Sequence, residues 1–407
     1  MAVYLSVDIF GHPGQTFYVK PGGEKSAHCI VLGKIVPSGS KLSDEMECHS
    51  MKDPLGVALF GLGRAGMIHF LNLIRCYRVQ LKYIIDLDIP KIKQLLIQYH
   101  QRHTVALTPE EAEKVYNDES VGAVFVCSPT FTHQEIVQNA LRKGKGVFCE
   151  KPISQDIAGT EACYVESEKA GKPLFCSFNR RYDPSIRGVL NGIEEQNVGD
   201  IHMVKMCSRD SPLPPMSYLK ISGGIFHDCA VHDIDVICWI LHQYPVSVYA
   251  QGHAHIKAIA EMDDVDTVAI TMKFPSGALA MIDLSRNASY GYDQRLEVFG
   301  TKGMLVSENQ RCTGVQHSCT TGTSLAPMHF SFPQRYADSY VLAMEHFLNV
   351  MEEKEAMEIT KESTLTISKI ATACEESYKL GKPVELFLTQ PEGPTLKSDT
   401  NGEMVTA

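Results

Sequence analysis

The hexapeptide GLGRAG, residues 61–66, lies between an apolar run, LGVALF, and a stretch of helical character, RAGMIHFLNLIR. That context suits a dinucleotide. Gly61 permits a tight strand-to-helix turn, Gly63 lets the backbone approach a pyrophosphate, and Gly66 allows the helix to pack closely on the strand, with its N-terminus toward the phosphates. Asp86 ends the run LKYIID, roughly 20 residues past Gly66, where a carboxylate accepts bonds from the adenosine ribose hydroxyls. Such a carboxylate repels a 2′-phosphate, so NAD is expected over NADP. Lys91 and Lys93 follow closely and are read as solvated charges at a helix start.

These residues need a scaffold, and the pattern around them supplies one. From Leu55 the runs LGVALF, LKYIID, GAVFVCS, GVFCE and PLFCSF alternate with amphipathic stretches such as TPEEAEKVYND and THQEIVQNALRKG. Alternation of this kind specifies parallel strands joined by crossover helices. In the second stretch Ile136, Val137, Ala140 and Leu141 recur at helical spacing, and Gly144 is a stop signal. Past residue 179 the pattern changes to TVAITMKF, PSGALAMIDLS, QRLEVFG and GMLVSE, joined by the turns FPSGA and GTKG. Consecutive hairpins predict an antiparallel sheet. Two helical segments, YADSYVLAMEHFLNVMEEK and STLTISKIATACEESYKLG, are read as closing this second domain.

The expected fold class is therefore α/β, a Rossmann-type doubly wound parallel sheet followed by an α+β domain with a largely antiparallel open sheet. We divide the chain into an N-terminal extension (1–52), an NAD-binding domain (53–179), a substrate and oligomerisation domain (180–387) and a polar tail (388–407). The extension, rich in Gly, Pro, Ser and charge, has no functional account.

A net charge of -10 over 407 residues excludes polyanionic partners, since nucleic acid is bound by excess Lys and Arg. No apolar run reaches the ~20 residues that cross a bilayer, and Asp8 interrupts the apolar start, so neither signal peptide nor membrane anchor is expected. The 13 cysteines show no CxxC spacing and read as reduced thiols of a cytoplasmic protein.

Behind the GxGxxG turn come CEKPIS, then FNRRYDP (178–184) and GGIFHDCAVHDIDV (223–236). In that order these motifs resemble the glucose-fructose oxidoreductase and inositol dehydrogenase family, and SRNASYGYDQRLEVFG (285–300) looks like the matching stretch of inositol 2-dehydrogenases. The resemblance spans about residues 54 to 385 and implies hydride transfer by Lys151, Asp228 and His232. It also places Asn179, Ser208 and Tyr292 at positions that touch the polyol. The cofactor-facing set comprises Gly61, Gly63, Arg64, Ala65, Gly66, Asp86, Ser128, Pro129, Glu150 and Lys151.

Chemistry agrees with that assignment. Oxidising a secondary alcohol needs a hydride acceptor and a base for the hydroxyl proton, a task that neutral histidine suits, so His232 is the candidate base. Asp228, four residues earlier, would share a helical face with it and orient the imidazole. Lys151, at the C-terminal end of a parallel strand, would donate to the substrate oxygen and pair with Asp228. Asp233 and Asp235 occupy other helical faces and are read as capping or bonding groups. Arg180, Arg181 and Arg295 are read as ion-pair or rim residues. A metal site built on His227, Asp228, His232 and Asp233 is disfavoured, because His227 and His232 diverge around a helix and no third histidine or paired cysteine completes it.

The leading expectation is oxidation of myo-inositol to its 2-keto product, scyllo-inosose, with NAD. The alternatives are another inositol, a sugar or a dihydrodiol as substrate, or a regulator that binds nucleotide or sugar without turnover. A homodimer or homotetramer assembled through the second-domain sheet is expected, and no metal.

Overall fold

The computed structural model of the chain describes residues 53–391. The N-terminal extension of the sequence reading lies outside them. Two large sheets organise the rest. The first runs β1 (Leu55–Phe60), β2 (Val79–Ile85), β3 (Val105–Leu107), β4 (Ala123–Val126), β5 (Gly146–Cys149) and β6 (Leu174–Cys176), all parallel, in the order β3-β2-β1-β4-β5-β6. This is the doubly wound order. Its reversal lies between β1 and β4, where ligands of such sheets collect. The strands are near-continuous apolar runs because both faces are covered. The crossovers are α1 (Arg64–Leu73), α2 (Ile89–Gln98), α3 (Glu113–Asn117), α4 (Thr130–Arg142) and α5 (Ile157–Ala170). The sequence reading missed β3 and made one helix of TPEEAEKVYND, which is a 3-10 turn, Pro109–Glu111, followed by the short α3.

The second half adds α6 (Pro184–Glu194), β7 (Ile201–Arg209), α7 (Met216–Leu219), a wide π turn (Phe226–Ala230), α8 (Val231–Leu241), β8 (Ser247–His253), α9 (Lys257–Ala260), β9 (Thr267–Lys273), β10 (Leu279–Ser285), β11 (Asp293–Gly300) and β12 (Met304–Ser307). A ribbon of β13 (Gln316–Cys319) and β14 (Gly322–Leu325) follows, then α10 (Phe332–Arg335), α11 (Ala337–Met351), α12 (Lys361–Leu380) and β15 (Val384–Glu385). The second sheet has the order β12-β11-β7-β10-β9-β8-β15. Its hairpins turn at the two segments read from sequence: Phe274 N–H bonds Ala278 O, and Gly300 N–H bonds Gly303 O. One pairing departs from expectation. β10 and β11 are not neighbours; β7 lies between them, parallel to β10 and antiparallel to β11. Hairpin signals report only connections between successive strands, so they carry no trace of an earlier strand slipped into the gap.

The closing helices also correct the sequence reading. Phe347 of α11 packs edge-on, 5.7 Å from both Phe125 and Phe148, which stack with Phe175 across the first sheet. Helix α11 thus covers the Rossmann sheet; burial of one such ring contributes about 1.5–3 kcal/mol. Helix α12 bridges the two sheets, with Tyr164 and Thr364 hydroxyls 2.9 Å apart and Ser377 Oγ accepting from Ala250 N–H. Periodicity shows that a helix has an apolar face but not which sheet receives it. The tail also starts later than expected, since the Gln390 amide accepts from Tyr244 N–H and donates to Tyr244 O; residues past 391 lie outside the described set.

Candidate active site

The Gly-rich turn is built for close approach of backbones. Gly61 has φ +90°, and a Cβ there would lie 2.6 Å from Ser128 N; a Cβ on Gly66 would lie 2.0 Å from Gly61 O. Side chains are excluded at both. Gly63 has open space where its side chain would be. It caps α1 without a side-chain bond, and the first turn of α1 contains no acid, so the positive helix end is left available to phosphates. The Asp86 carboxylate accepts from Leu62 N–H at 2.6 Å and from Asp88 N–H at 3.0 Å, which fixes it beside the turn. The open turn at Gly63, the free helix end and the fixed Asp86 carboxylate are features that would suit an NAD molecule.

Two neighbours differ from the sequence reading. Lys91 is not merely solvated: its Nζ donates to Leu62 O at 2.6 Å, which draws a cation to the ribose end. Lys93 stays exposed. Arg64, in contrast, extends away from the loop, donating to Ser331 Oγ at 2.6 Å and lying 4.5 Å over the Phe332 ring. Ser128 follows β4, its hydroxyl 2.6 Å from that of Thr132, and Pro129 caps α4. The Glu150 carboxylate accepts from His69 Nε2 at 2.7 Å and from Ser177 Oγ at 3.0 Å. It anchors the end of β5.

That anchor sets the position of the next residue. Lys151 Nζ donates to the Asp228 carbonyl at 2.5 Å and to Asp228 Oδ1 at 3.1 Å, across the two halves of the fold. The same carboxylate accepts from Tyr218 Oη at 2.8 Å and from Arg286 Nη1 at 3.0 Å. Arg286, fully buried just past the end of β10, also donates to Asp264 Oδ2 at 3.1 Å. Burial alone raises the Asp228 carboxyl, but Lys151, Arg286 and the Tyr218 bond outweigh it and hold the group below its ordinary range.

His232 lies on α8, past the π turn. Burial first, then the charges of Lys151 and Arg180, push its imidazole well below the ordinary value, so it is neutral at physiological pH. Its Nδ1 is buried without a hydrogen-bond partner. The expected support from Asp228 is absent among the described hydrogen bonds. A π turn closes i to i+5 rather than i to i+4, so the interval between Asp228 and His232 does not stack them as an α-helix would. Asp228 bonds Lys151, while His232 lies close enough to feel its charge.

Around this group, Arg180 forms a buried ion pair with Asp233, and Arg181 one with Asp235 at 2.5 Å. Ser208 Oγ donates to Asp233 Oδ1 at 2.6 Å. Tyr292 packs edge-on against Tyr336, whose hydroxyl reaches Gln294, a residue also within bonding distance of Ser208. Ser208 and Tyr292 therefore share one polar wall. The Asn179 amide is committed to Ser339 Oγ at 3.0 Å. Arg295 is half exposed and pairs with Asp293 at 2.8 Å, and His227 bonds Glu375 of α12 at 3.1 Å.

Sequence reasoning did not single out Arg286, Tyr218 or Asp210. Asp210, at the end of β7, is pushed up to about 6 by burial, with Asp228 adding to the rise and Arg64 and Arg286 opposing it. Arg286 and the strand before Asp210 carry no functional signal in sequence until the sheet brings Arg286 to Asp228 and Asp210 near both.

Comparisons with known proteins agree with this geometry. Residues 55–178 match the model of the oxidoreductase family with an NAD-binding Rossmann fold, and residues 187–306 match the GFO/IDH/MocA C-terminal domain. The chain is 34% identical over 331 residues to a myo-inositol 2-dehydrogenase of Thermotoga maritima, covering 81% of this chain and 98% of that one. It superposes on the crystal structure of a putative myo-inositol dehydrogenase from Sinorhizobium meliloti 1021 with TM-score 0.77 and 31% identity, over 82% of this chain and all of that one. Scyllo-inositol dehydrogenase from Lactobacillus casei, solved with NAD(H) and scyllo-inositol, gives TM-score 0.75 at 26% identity, over 82% of this chain and 99% of that one.

Proposed function

Because the chain belongs to the GFO/IDH/MocA oxidoreductase family, we propose that it oxidises a secondary hydroxyl of a cyclic polyol with NAD, converting myo-inositol to scyllo-inosose. The observation that carries this reading is the contact of Lys151 with Asp228 beside a neutral His232, at the C-terminal end of the Rossmann strand β5.

Bound NAD supplies the hydride acceptor. The protein supplies the rest. An ammonium has three N–H donors. Two of those on Lys151 go to Asp228, leaving one for the substrate oxygen, where it stabilises the alkoxide that develops as hydride leaves. His232, held neutral by burial and by the charge of Lys151, accepts the hydroxyl proton. Asp228, itself held by Arg286 and Tyr218, fixes the Lys151 head and balances its charge. The products are ketone, NADH and one proton.

The same reading assigns the nucleotide to residues 53–179 and the polyol to residues 180–387. It includes a homo-oligomer formed through the open face of the second sheet, where Leu279, Met281, Phe299, Met304 and Val306 are exposed. A cytoplasmic location is part of it, supported by the free thiols of the described cysteines. Among the described residues no helix is long and apolar enough to cross a membrane.

The test is direct. Purified protein with NAD is offered myo-inositol, scyllo-inositol, aldoses and dihydrodiols while NADH absorbance is followed. Turnover is expected with myo-inositol above the rest. NAD binding without turnover on any of them replaces the dehydrogenase by a nucleotide or sugar sensor.

A further inference from the structure

Two strand ends carry the cofactor-side residues, and one buried histidine touches both. Ser128 and Pro129 follow β4, and Lys151 and Pro152 follow β5 shortly after its end at Cys149. His133, in the first turn of α4, is 2% exposed; its Nε2 lies 2.7 Å from Ser128 O and its Nδ1 2.7 Å from Pro152 O. The Cys149 thiol is 3.5 Å from Nδ1 and within reach of Glu150 O at 3.2 Å. Lys151 is thus bracketed. His69 and Ser177 hold the Glu150 side chain before it, and His133 holds the Pro152 carbonyl after it. Ser128, at the other end of the same ring, abuts the Gly-rich turn so closely that a Cβ on Gly61 would lie 2.6 Å from its nitrogen.

The two contacts ask for more protons than the ring has. A carbonyl oxygen only accepts, and a neutral imidazole carries one N–H. Burial pushes the His133 imidazole below its ordinary value against the pull of both carbonyls and Glu150, so the ring is neutral at physiological pH. It therefore serves one carbonyl at a time. Among the described hydrogen bonds, no other donor reaches Ser128 O or Pro152 O, so each tautomer leaves the opposite strand end without its tie. A histidine that only filled the core would face one acceptor and one donor.

We infer that His133 is a positioning residue that shares a single N–H between the two strand ends, Nδ1–H holding Pro152 and through it Lys151, and Nε2–H holding Ser128 beside the cofactor turn. The inference rests on the role given above to Lys151. With the proton on Nδ1, the backbone next to Lys151 is fixed and the ammonium stays aimed past Asp228 at the substrate oxygen. With the proton on Nε2, the wall of the nucleotide crevice is fixed instead. Turnover and cofactor affinity are thereby tied to different nitrogens of one ring.

Asparagine and glutamine separate the two ties. An asparagine amide nitrogen stands where Nδ1 does and a glutamine amide nitrogen where Nε2 does, and each donates. His133→Asn should keep kcat on myo-inositol within a few-fold of wild type and weaken NAD binding about threefold to tenfold, the range of one net hydrogen bond. His133→Gln should do the reverse, keeping NAD affinity and lowering kcat about tenfold or more, as misplacement of a reacting group does. NAD affinity is read by fluorescence quenching without substrate, and kcat at saturating NAD, so neither readout feeds the other. The wild-type chain supplies a test that needs no substitution: the NMR shifts of both His133 ring nitrogens should be averages between protonated and bare values. Losses of equal size in both variants on both readouts would mark a packing defect and overturn the proposal, as would wild-type kinetics in His133→Gln or a ring held in one tautomer. A wild-type chain that binds NAD and turns over no polyol removes the reaction and this inference together; an active wild type without the crossed pattern removes this inference alone.

Discussion

Lys151 Nζ and Asp228 are joined twice, at the carboxylate and at the backbone carbonyl, and this pair links the end of the Rossmann sheet to the π turn before α8. The carbonyl contact matters because it positions the ammonium even when the carboxylate is altered. Lys151→Ala is therefore expected to lose more turnover than Asp228→Asn. Loss of one preorganised donor to the developing oxyanion costs about 10²–10³ in kcat. NAD affinity, read by quenching of protein fluorescence, should stay within a few-fold of wild type. Near-normal kcat in Lys151→Ala would remove it from the proposed machinery.

The pH profile follows from His232. Its folded pKa lies well below the ordinary 6.5, so the base form persists as pH falls past that value. The acid limb of kcat/KM should appear below 6.5, and His232→Ala should lower kcat by about 10²–10⁴. Stability has the matching sign. The unfolded state takes up the proton first, so the contribution of this group is complete above 6.5 and is lost as pH falls toward the depressed folded value. An acid limb at or above 6.5 would contradict a buried imidazole in this role.

Asp210 has the opposite linkage. Its carboxyl is raised from 3.8 to about 6, so the folded state retains a proton that the unfolded state has released, and stability declines as pH rises through that window. Asp210→Asn should raise the melting temperature by roughly 2 °C or more above pH 6, with the gain vanishing below 3.8. The acid limb of kcat/KM that survives in this variant belongs to His232. Equal melting gains at all pH values would show that the effect is packing rather than charge.

Arg286 neutralises Asp228 and Asp264 together while fully buried. Its replacement by Met leaves Asp264 without its buried cation and Asp228 with Lys151 alone. Removing one partner of a buried pair costs about 3–5 kcal/mol, so urea unfolding of Arg286→Met should give an unfolding free energy lower by that amount. A double variant, Arg286→Met with Asp264→Asn, should recover part of it; additive losses would mean that the two residues do not interact.

Cofactor choice rests on Asp86 and is moderated by Lys91. With Asp86→Ser the repulsion of a 2′-phosphate is gone, and the Lys91 ammonium bonded to Leu62 O stays nearby to attract it. The ratio of kcat/KM for NADP over NAD should rise roughly tenfold or more, the equivalent of 1.4 kcal/mol. Lys91→Ala added to Asp86→Ser should reverse part of that gain. An unchanged ratio would place nucleotide discrimination elsewhere.

By itself the sequence determined the Rossmann half, the turn at residues 61–66 and the acid at Asp86, because strand, turn and helix there are local and each signal spans only a few residues. Through the order of motifs it also pointed to Lys151, Asp228 and His232, of which the fold joins Lys151 and Asp228. Tertiary structure alone decided how they are joined. The π turn, which no periodicity announces, precedes His232 and brings Asp228 to Lys151. Insertion of β7 between β10 and β11 sets Asp210 beside Ser285 and Arg286, from segments far apart in the chain. Helix α11 lies on the Rossmann sheet because Phe347 fits the row of Phe125, Phe148 and Phe175. Such choices depend on which surfaces meet after folding, and a pattern of apolar spacing states only that a face is to be buried, not its partner.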